Sequence, residues 1–457
     1  MKDKRSFDLY DYQLPHARML MESLIDRAVA KDGSDTGTGK TPVACWVAEG
    51  LKAWGVIQNV LVVCPKAVMT PWREWLDKTS FAGTDQTYDI VNWEMVRTGR
   101  TPFGRRHRSR SRWLFEWTLA EETLIIFDED HYAKGAKTQN ASLVSAATAQ
   151  RFTHRIATLL IGATSCSNPL EMGALGYALG LHRGPKDWYK WALRHGCRKN
   201  HWNALEFNHN PEVLEYIRDH IYGSPPDGSV PYGSRMSIQD LGDEFPEGHV
   251  SVDAYDFPAL DEINSAYEEM VKLSELEDLY VDADNPLTES LRLRQQIEIC
   301  KLPVFEEMTR DLHAEGKSVV LFVNFRDTLE MLVERLKDLG VSEIHGGQTQ
   351  TERDAAIKVF QEDNTRICIC TLSAGGVGVS LHDVIGKYPR VSIISPNFSA
   401  IQFKQALGRI HRANAMTPAV QKVIFAAGTV EERIRKNLTK KLNDLDTVND
   451  SDFILTA

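Results

Sequence analysis

No apolar run in this chain is long enough to span a bilayer. The longest, such as "TLLIGA" and "VVLFV", fall far short of the roughly 20 residues a membrane helix needs, so no membrane partner is expected. The opening residues "MKDKRSFDLYDYQ" lack the apolar core of a secretory signal. A cytoplasmic setting is therefore expected. Cysteine is sparse: there are seven, an odd number, and none forms a CxxC pair. That argues against a disulfide framework or a zinc site and for reduced core thiols. The histidines show no metal-ligand spacing. There is no internal repeat and no low-complexity tract apart from one arginine run. There is also no NKxD, the guanine-reading motif, which disfavours a GTPase.

Positive charge is in deficit overall, at −10 for 457 residues, which at first opposes a polyanionic partner. The distribution reverses that reading. Residues 240–290 hold 16 acids and one lysine, a local −15 against −10 overall, so the remainder carries +5. The segment "RTGRTPFGRRHRSRSR" (97–112) carries seven arginines and no acid. A local field, not the net charge, steers a polyanion.

With 42% hydrophobic and 25% charged residues, the chain is globular and long enough for two or three domains. Short apolar runs alternate with helical patterns: "NVLVVC" (59–64), "YDIVN" (88–92), "TLIIFD" (123–128) and "ATLLIGA" (157–163). The texture returns at "SVVLFVNF" (318–325), "RICICTL" (366–372), "RVSIISP" (390–396) and "KVIFAAG" (422–428). Such alternation predicts parallel sheets wrapped by helices, an α/β fold. Leu329, Leu332, Val333, Leu336 and Leu339 give a helical stripe closed by Gly340. "TVEE" predicts a capping box of Thr429 with Glu432. Between the halves, residues 170–230 are rich in Trp and His. Residues 258–300 form an acidic amphipathic segment with Leu260, Ile263, Tyr267, Met270 and Leu273 on its apolar side. Both read as helical insertions into two lobes, 1–245 and 246–457. Trp188, Trp191 and Trp202 are expected in insertion core.

"SDTGTGKT" (34–41) is a phosphate-binding loop. Backbone amides from Asp35 through Thr38 must approach phosphates closely, and Gly37 and Gly39 keep that approach clear. Lys40 supplies a point charge, and Thr41 a hydroxyl for Mg²⁺. The strand before it, "RAVAKDG", is only weakly apolar. About ninety residues on, "LIIFDEDH" (124–131) ends an apolar strand in Asp128, suited to hold Mg²⁺. Glu129 beside it can orient and deprotonate an attacking water. ATP with Mg²⁺ is the implied cofactor. In "QALGRIHR" (405–412), Gln405, Arg409 and Arg412 are spaced by four and three. On a helix they would share a face, and arginine suits phosphate in a fixed fork. If two lobes face each other, Arg409 and Arg412 act as arginine fingers, worth about 10³–10⁵ in rate.

These motifs, in this order, resemble the superfamily-two helicases and within them the Swi/Snf-like DNA translocases. The resemblance covers nearly the whole chain and implies two RecA-like parallel-sheet lobes with helical insertions. "YDYQLPHARML" resembles the Q motif, which would put Gln13 on the adenine. "VVCPKAVMTPWREW" and "VNWEM" look like motifs Ia and Ib, and "FDEDHYAKG" like motif II with the His-x-x-Lys that follows it. "GATSCSNP" sits where motif III belongs, with Thr164 kept and Ser165 in place of the usual proline, which puts coupling of hydrolysis to movement in question. "FVNFRDTLEML", "TLSAGGVGVSLHD" and "QALGRIHR" are similar to motifs IV, V and VI, and "GTVEERI" to the branch's usual tail.

The resemblance implies double-stranded DNA as the partner, with single-stranded DNA or RNA as the alternative. It implies backbone contacts from Pro65, Lys66, Asn92, Asn324, Arg326, Thr371 and Ser373, which position without reading sequence. Gly375, Gly376 and Gly378 suit a tight turn between nucleic-acid groove and ATP cleft, with Gly378 assigned to the nucleotide. Arg105 and Arg106, in the arginine run, belong to an auxiliary phosphate-gripping loop or to a solvated loop. Two competing readings stay open: a strand-separating helicase on DNA or RNA, and a non-catalytic clamp switched by ATP.

Overall fold

The computed structural model describes residues 8–79, 88–109, 112–136, 138–163, 166–200, 203–208, 210–238, 241, 248–255, 257, 259–277, 285–375, 379–396, 399–427, 429 and 431. They fall into two compact units, one up to residue 241 and one from residue 248.

Among the described residues the first unit contains ten strands: β1 (Val29–Asp32), β2 (Asn59–Cys64), β3 (Tyr88–Asn92), β4 (Gly104–Ser109), β5 (Arg112–Trp117), β6 (Thr123–Asp128), β7 (Ala157–Ile161), β8 (Cys197–Lys199), β9 (Leu205–Phe207) and β10 (Gly233–Ser234). Six form one sheet in the order β10-β1-β7-β6-β2-β3, and every pair in it is parallel. Helices cover both faces of such a sheet, so its central strands read as unbroken apolar runs; β7 is buried at every position. Strand β1 is the exception. All four of its residues are buried, yet two are Lys31 and Asp32. Each has a partner: Lys31 Nζ lies 3.0 Å from Asp130 Oδ2, and Asp32 Oδ1 lies 3.2 Å from His16 Nε2. That pairing explains the weak apolarity of "AVAKDG".

The 170–230 stretch contains helices Leu175–Ala178, Pro185–Arg194 and Pro211–Tyr222, together with the antiparallel ribbon β8–β9. Trp191 is buried in the unit's core, with Trp188 packed against it; Trp202 lies outside the described residues. The arginine run departs from the loop expectation. Strands β4 and β5 pair as an antiparallel hairpin with Arg105 opposite Glu116 and Arg106 opposite Phe115. The two-residue period is present in β5, where Phe115 and Trp117 are buried while Leu114 and Glu116 are exposed.

The second unit carries β11 (Gly248–Tyr255), β12 (Ser318–Val323), β13 (Val341–Ile344), β14 (Ile367–Thr371), β15 (Arg390–Ile394) and β16 (Ala419–Ala426) in the order β11-β16-β15-β12-β14-β13, again all parallel. Strand β11 arises inside the acidic stretch and itself carries one acid, Asp253. Helices Leu260–Glu277 and Asn285–Ile299 follow it, with Ile263 and Tyr267 buried; the side chains of Met270 and Leu273 lie outside the described residues. The leucine stripe forms helix Arg326–Leu336, which buries Leu329, Leu332 and Leu336. The Thr429 hydroxyl accepts from the Glu431 N–H at 3.2 Å. Glu432 lies outside the described residues, and the buried acid at this turn is Glu431, paired with buried Lys301. Among the described residues no helix is long and apolar enough to cross a membrane, no cluster has metal-ligand character, and all seven cysteines are free.

Candidate nucleotide site

Because the strands of the first sheet are parallel, the carboxyl ends of β1, β7 and β6 lie along one edge, where open α/β sheets bind ligands. The phosphate loop leaves β1 there, and Asp128 ends β6 there. Helix Lys40–Ala53 starts directly behind the loop, with Gly39 at its N-cap in the left-handed region (φ 91°). A Cβ on Gly39 would sit 2.4 Å from Gln13 Nε2, so only glycine lets the loop and the first helix approach this closely. A helix N-terminus with forward-pointing amides suits anions.

The loop is braced from within. The Thr38 hydroxyl donates to the Asp35 carbonyl at 2.9 Å, and the Asp35 carboxylate accepts the Ile238 N–H at 3.1 Å. Thr36, Gly37 and Thr41 are half-buried at the surface of the cradle. Lys40 Nζ donates to the carbonyls of Ser34 (3.0 Å) and Asp35 (2.9 Å). Burial lowers the Lys40 pKa, against the fields of Asp32, Glu129, Asp35 and Asp128. The structure thus brings Lys40 within the field of both motif-II carboxylates. Gln13 is buried: its amide donates to the Thr38 carbonyl (2.9 Å), and its oxygen accepts the Tyr10 N–H (3.1 Å). Here Gln13 clasps the phosphate loop.

Asp128 is held by two tryptophans absent from the expected site. Trp72 Nε1 donates to Asp128 Oδ2 at 2.7 Å, and Trp93 Nε1 to the Asp128 carbonyl at 2.9 Å. Burial, then the adjacent Glu129 charge, push the Asp128 carboxyl up to about 7 against the Trp72 hydrogen bond. Glu129 takes a left-handed backbone (φ 55°), and its carboxylate lies 3.2 Å from His131 Nδ1. A non-glycine residue in that region marks strain held by its surroundings. Asp130 points the other way, into the Lys31 pair, and a Cβ on Gly162 would meet its Oδ1 at 2.3 Å. The signal for Lys31 was in the sequence, as a charge within a strand run; Asp130 follows β6 in the turn Asp130–Ala133, between Glu129 and His131, and carried no such signal. Nothing in the sequence marked Trp72 or Trp93 as partners of Asp128.

In the second unit, the shared helical face assigned to "QALGRIHR" is not formed. Helix Ala400–Leu407 stops at Leu407 with Gly408 as its cap, so Arg409 and Arg412 lie in the turn beyond it. They still converge: Arg409 Nη1 and Arg412 Nη2 each donate to the Val379 carbonyl at 3.2 Å, and Arg412 Nη1 donates to Ser380 Oγ at 2.8 Å. Arg409 and Gln405 are buried, and Arg412 is half-buried. Motif V, not helical spacing, gathers the guanidiniums. Gly376 and Gly378, and also Thr164 and Ser165, lie outside the described residues.

The residues expected on nucleic acid divide. Lys66, Arg105, Arg326 and Ser373 are exposed and Arg106 half-buried, whereas Pro65 and Thr371 are buried. Asn92 caps helix Trp93–Arg97 by accepting the Met95 N–H at 2.9 Å. Asn324 donates its amide to Glu298 Oε1 (2.7 Å) and the Pro396 carbonyl (2.9 Å). Both asparagines thus hold local structure, and Arg326 pairs with Glu330 at 2.7 Å.

Comparison with known proteins gives a consistent picture. The model of the helicase conserved C-terminal domain matches residues 300–414. A protein of Acanthamoeba polyphaga mimivirus named as an ATP-dependent RNA helicase is 30% identical over 99% of this chain and 86% of its own length. An SNF2 domain-containing protein of rice is 24% identical over 88% of the chain and 48% of its own length, and Arabidopsis Chromatin Remodeling 24 is 22% identical over 89% and 43%. The chain thus spans about half of these two plant proteins. Among solved structures, a variant of yeast Dbp5 bound to RNA and ADP BeF3 matches 96% of this chain and 94% of that one, with a TM-score of 0.50 at 12% identity, a likeness of fold.

Proposed function

The chain belongs to the superfamily-two helicase ATPases, in their Swi/Snf-like branch, and from that premise we propose a motor that couples ATP hydrolysis to translocation along double-stranded DNA. The observation that carries the reading is the convergence of Lys40, Asp128 and Glu129 at one edge of the first sheet. The cradle fits a nucleoside triphosphate: glycine at the close approach, a helix N-terminus behind it, a lysine, and the half-buried carboxylate of Asp128. Mg²⁺ with ATP, when bound, supplies neutralisation of charge on the transferred phosphoryl group. Thr41 and Asp128 would hold the metal shell, and the amides of residues 35–39 would take the phosphates. Lys40 would exchange the carbonyls of Ser34 and Asp35 for phosphate oxygens. Glu129 takes the proton of the attacking water, with His131 steadying its carboxylate. Arg409 and Arg412, gathered at the Val379 carbonyl within the second unit, are the proposed arginine fingers.

Support for duplex DNA comes from the Swi/Snf-like motifs and from helices outside the sheets in both units, where that branch carries protrusions. Strand separation on RNA is a second reading, favoured by the name of the mimivirus relative. Steady-state ATPase assays without nucleic acid and with single-stranded DNA, duplex DNA or RNA decide between them, with Glu129→Gln as the control. Stimulation greatest with duplex DNA supports the translocase, and preference for single strands or RNA moves the assignment to a helicase. Glu129→Gln is expected to lose about 10²–10⁴-fold in turnover while still binding ATP. Unchanged turnover in that variant would remove Glu129 from the base role.

A further inference from the structure

We propose that the β4–β5 hairpin and the turn leading into it form a second grip on the phosphate backbone of a polynucleotide, outside the helicase motifs. The inference rests on the nucleic-acid-dependent reading above. Arg97, Arg100, Arg105 and Arg108 are all exposed. The turn carrying Arg97 and Arg100 lies against the face of β4 that bears Arg106 and Arg108, because a Cβ on Gly99 would lie 3.4 Å from Arg106 Cβ; Arg105, one residue earlier, is on the opposite face. Glu116 stands opposite Arg105 in the ribbon, and Glu94 lies one helical turn before Arg97. Residues 97–112 carry seven arginines and no acid in a chain of net charge −10.

The arm is held by its root. Phe115 and Trp117 meet edge-on at 4.9 Å, and Trp117 meets Phe127 of β6 at 6.0 Å. Gln150 clamps the Trp117 backbone from both sides, accepting its N–H and donating to its carbonyl, each at 2.9 Å. Trp117 Nε1 donates to the Leu143 carbonyl at 2.9 Å. The root therefore rests on the residue just before Asp128. Arginines carried on a ribbon anchored in this way lose less freedom on binding than those of a free loop. A basic surface of this kind contributes through counterion release, not base reading.

The test uses the full chain and a random-sequence 20-mer as duplex DNA and as single-stranded RNA, with affinity followed by anisotropy across a salt series. For every phosphate that is no longer neutralised, the slope of log K against log salt becomes shallower by about 0.9 on duplex DNA and about 0.7 on a single strand. Arg97→Ala/Arg100→Ala is expected to flatten the slope by about twice that amount, and Arg108→Ala, on the hairpin face that the turn meets, by about once that amount as an independent second variant. A change on only one of the two polynucleotides identifies the source of the phosphates. Wild-type slopes in both variants, with thermal midpoints unchanged, would overturn the arm while leaving the ATPase reading intact. A wild-type chain that neither binds nor is stimulated by either polynucleotide would overturn the underlying reading.

Discussion

Trp72→Phe isolates one hydrogen bond that controls the acid held at the end of β6. Trp72 is 1% exposed, and its indole donates to Asp128 Oδ2 at 2.7 Å. Burial and Glu129 already push the Asp128 carboxyl up to about 7, and the indole opposes them. A hydrogen bond to an ionised group is worth about 1.5–3 kcal/mol. At about 1.4 kcal/mol per unit, its loss moves the carboxyl up by about one to two units. At pH 7.5 the ionised fraction then falls from about three-quarters to between about one-quarter and about one-thirtieth. The sign follows from chemistry, since only the carboxylate can hold a cation. Activity therefore rises with pH through the Asp128 pKa, and the variant needs a higher pH to reach it. The assay is kcat/KM for MgATP from pH 6 to 9, which reports groups of the free enzyme. Wild type and variant should share a plateau at high pH and differ in the acid limb. Acid limbs that coincide within about 0.3 unit would refute the reasoning. The same raised pKa has a stability consequence. Between the ordinary value of 3.8 and about 7, the folded chain holds a proton that the unfolded chain has released. Stability from this group is therefore lost as pH rises through that window.

Two further substitutions test other parts of the site. Arg412→Ala should lower stimulated ATPase turnover by about 10³-fold if the finger assignment holds; turnover near wild type would leave Arg412 as a brace for Val379 and Ser380. Asp130→Asn strands the buried Lys31 ammonium and should cost about 3–5 kcal/mol in urea unfolding, whereas Lys31→Met/Asp130→Leu should recover most of it. A loss below about 1 kcal/mol from the single change would show that the pair is not buried as tightly as described.

The sequence alone determined the α/β class, because a parallel sheet buried on both faces needs near-continuous apolar strands, and "NVLVVC", "TLIIFD" and "SVVLFV" are such strands. It also marked the phosphate loop and the Asp128–Glu129 pair, since both are contiguous in the chain and their chemistry demands particular residues at short spacing. Where charge overlays a strand the pattern is obscured, as in the arginine-rich β4. Tertiary structure decided the rest, because the remaining contacts join residues far apart in sequence. The partner of Asp128 is 56 residues away, at Trp72. That of Lys31 lies across the sheet in motif II. Arg409 and Arg412 are gathered by a carbonyl some thirty residues earlier, after the helix that the spacing implied has already ended at Leu407. Spacing along a chain predicts a shared face only while the helix continues, and where it stops is set by what the turn packs against.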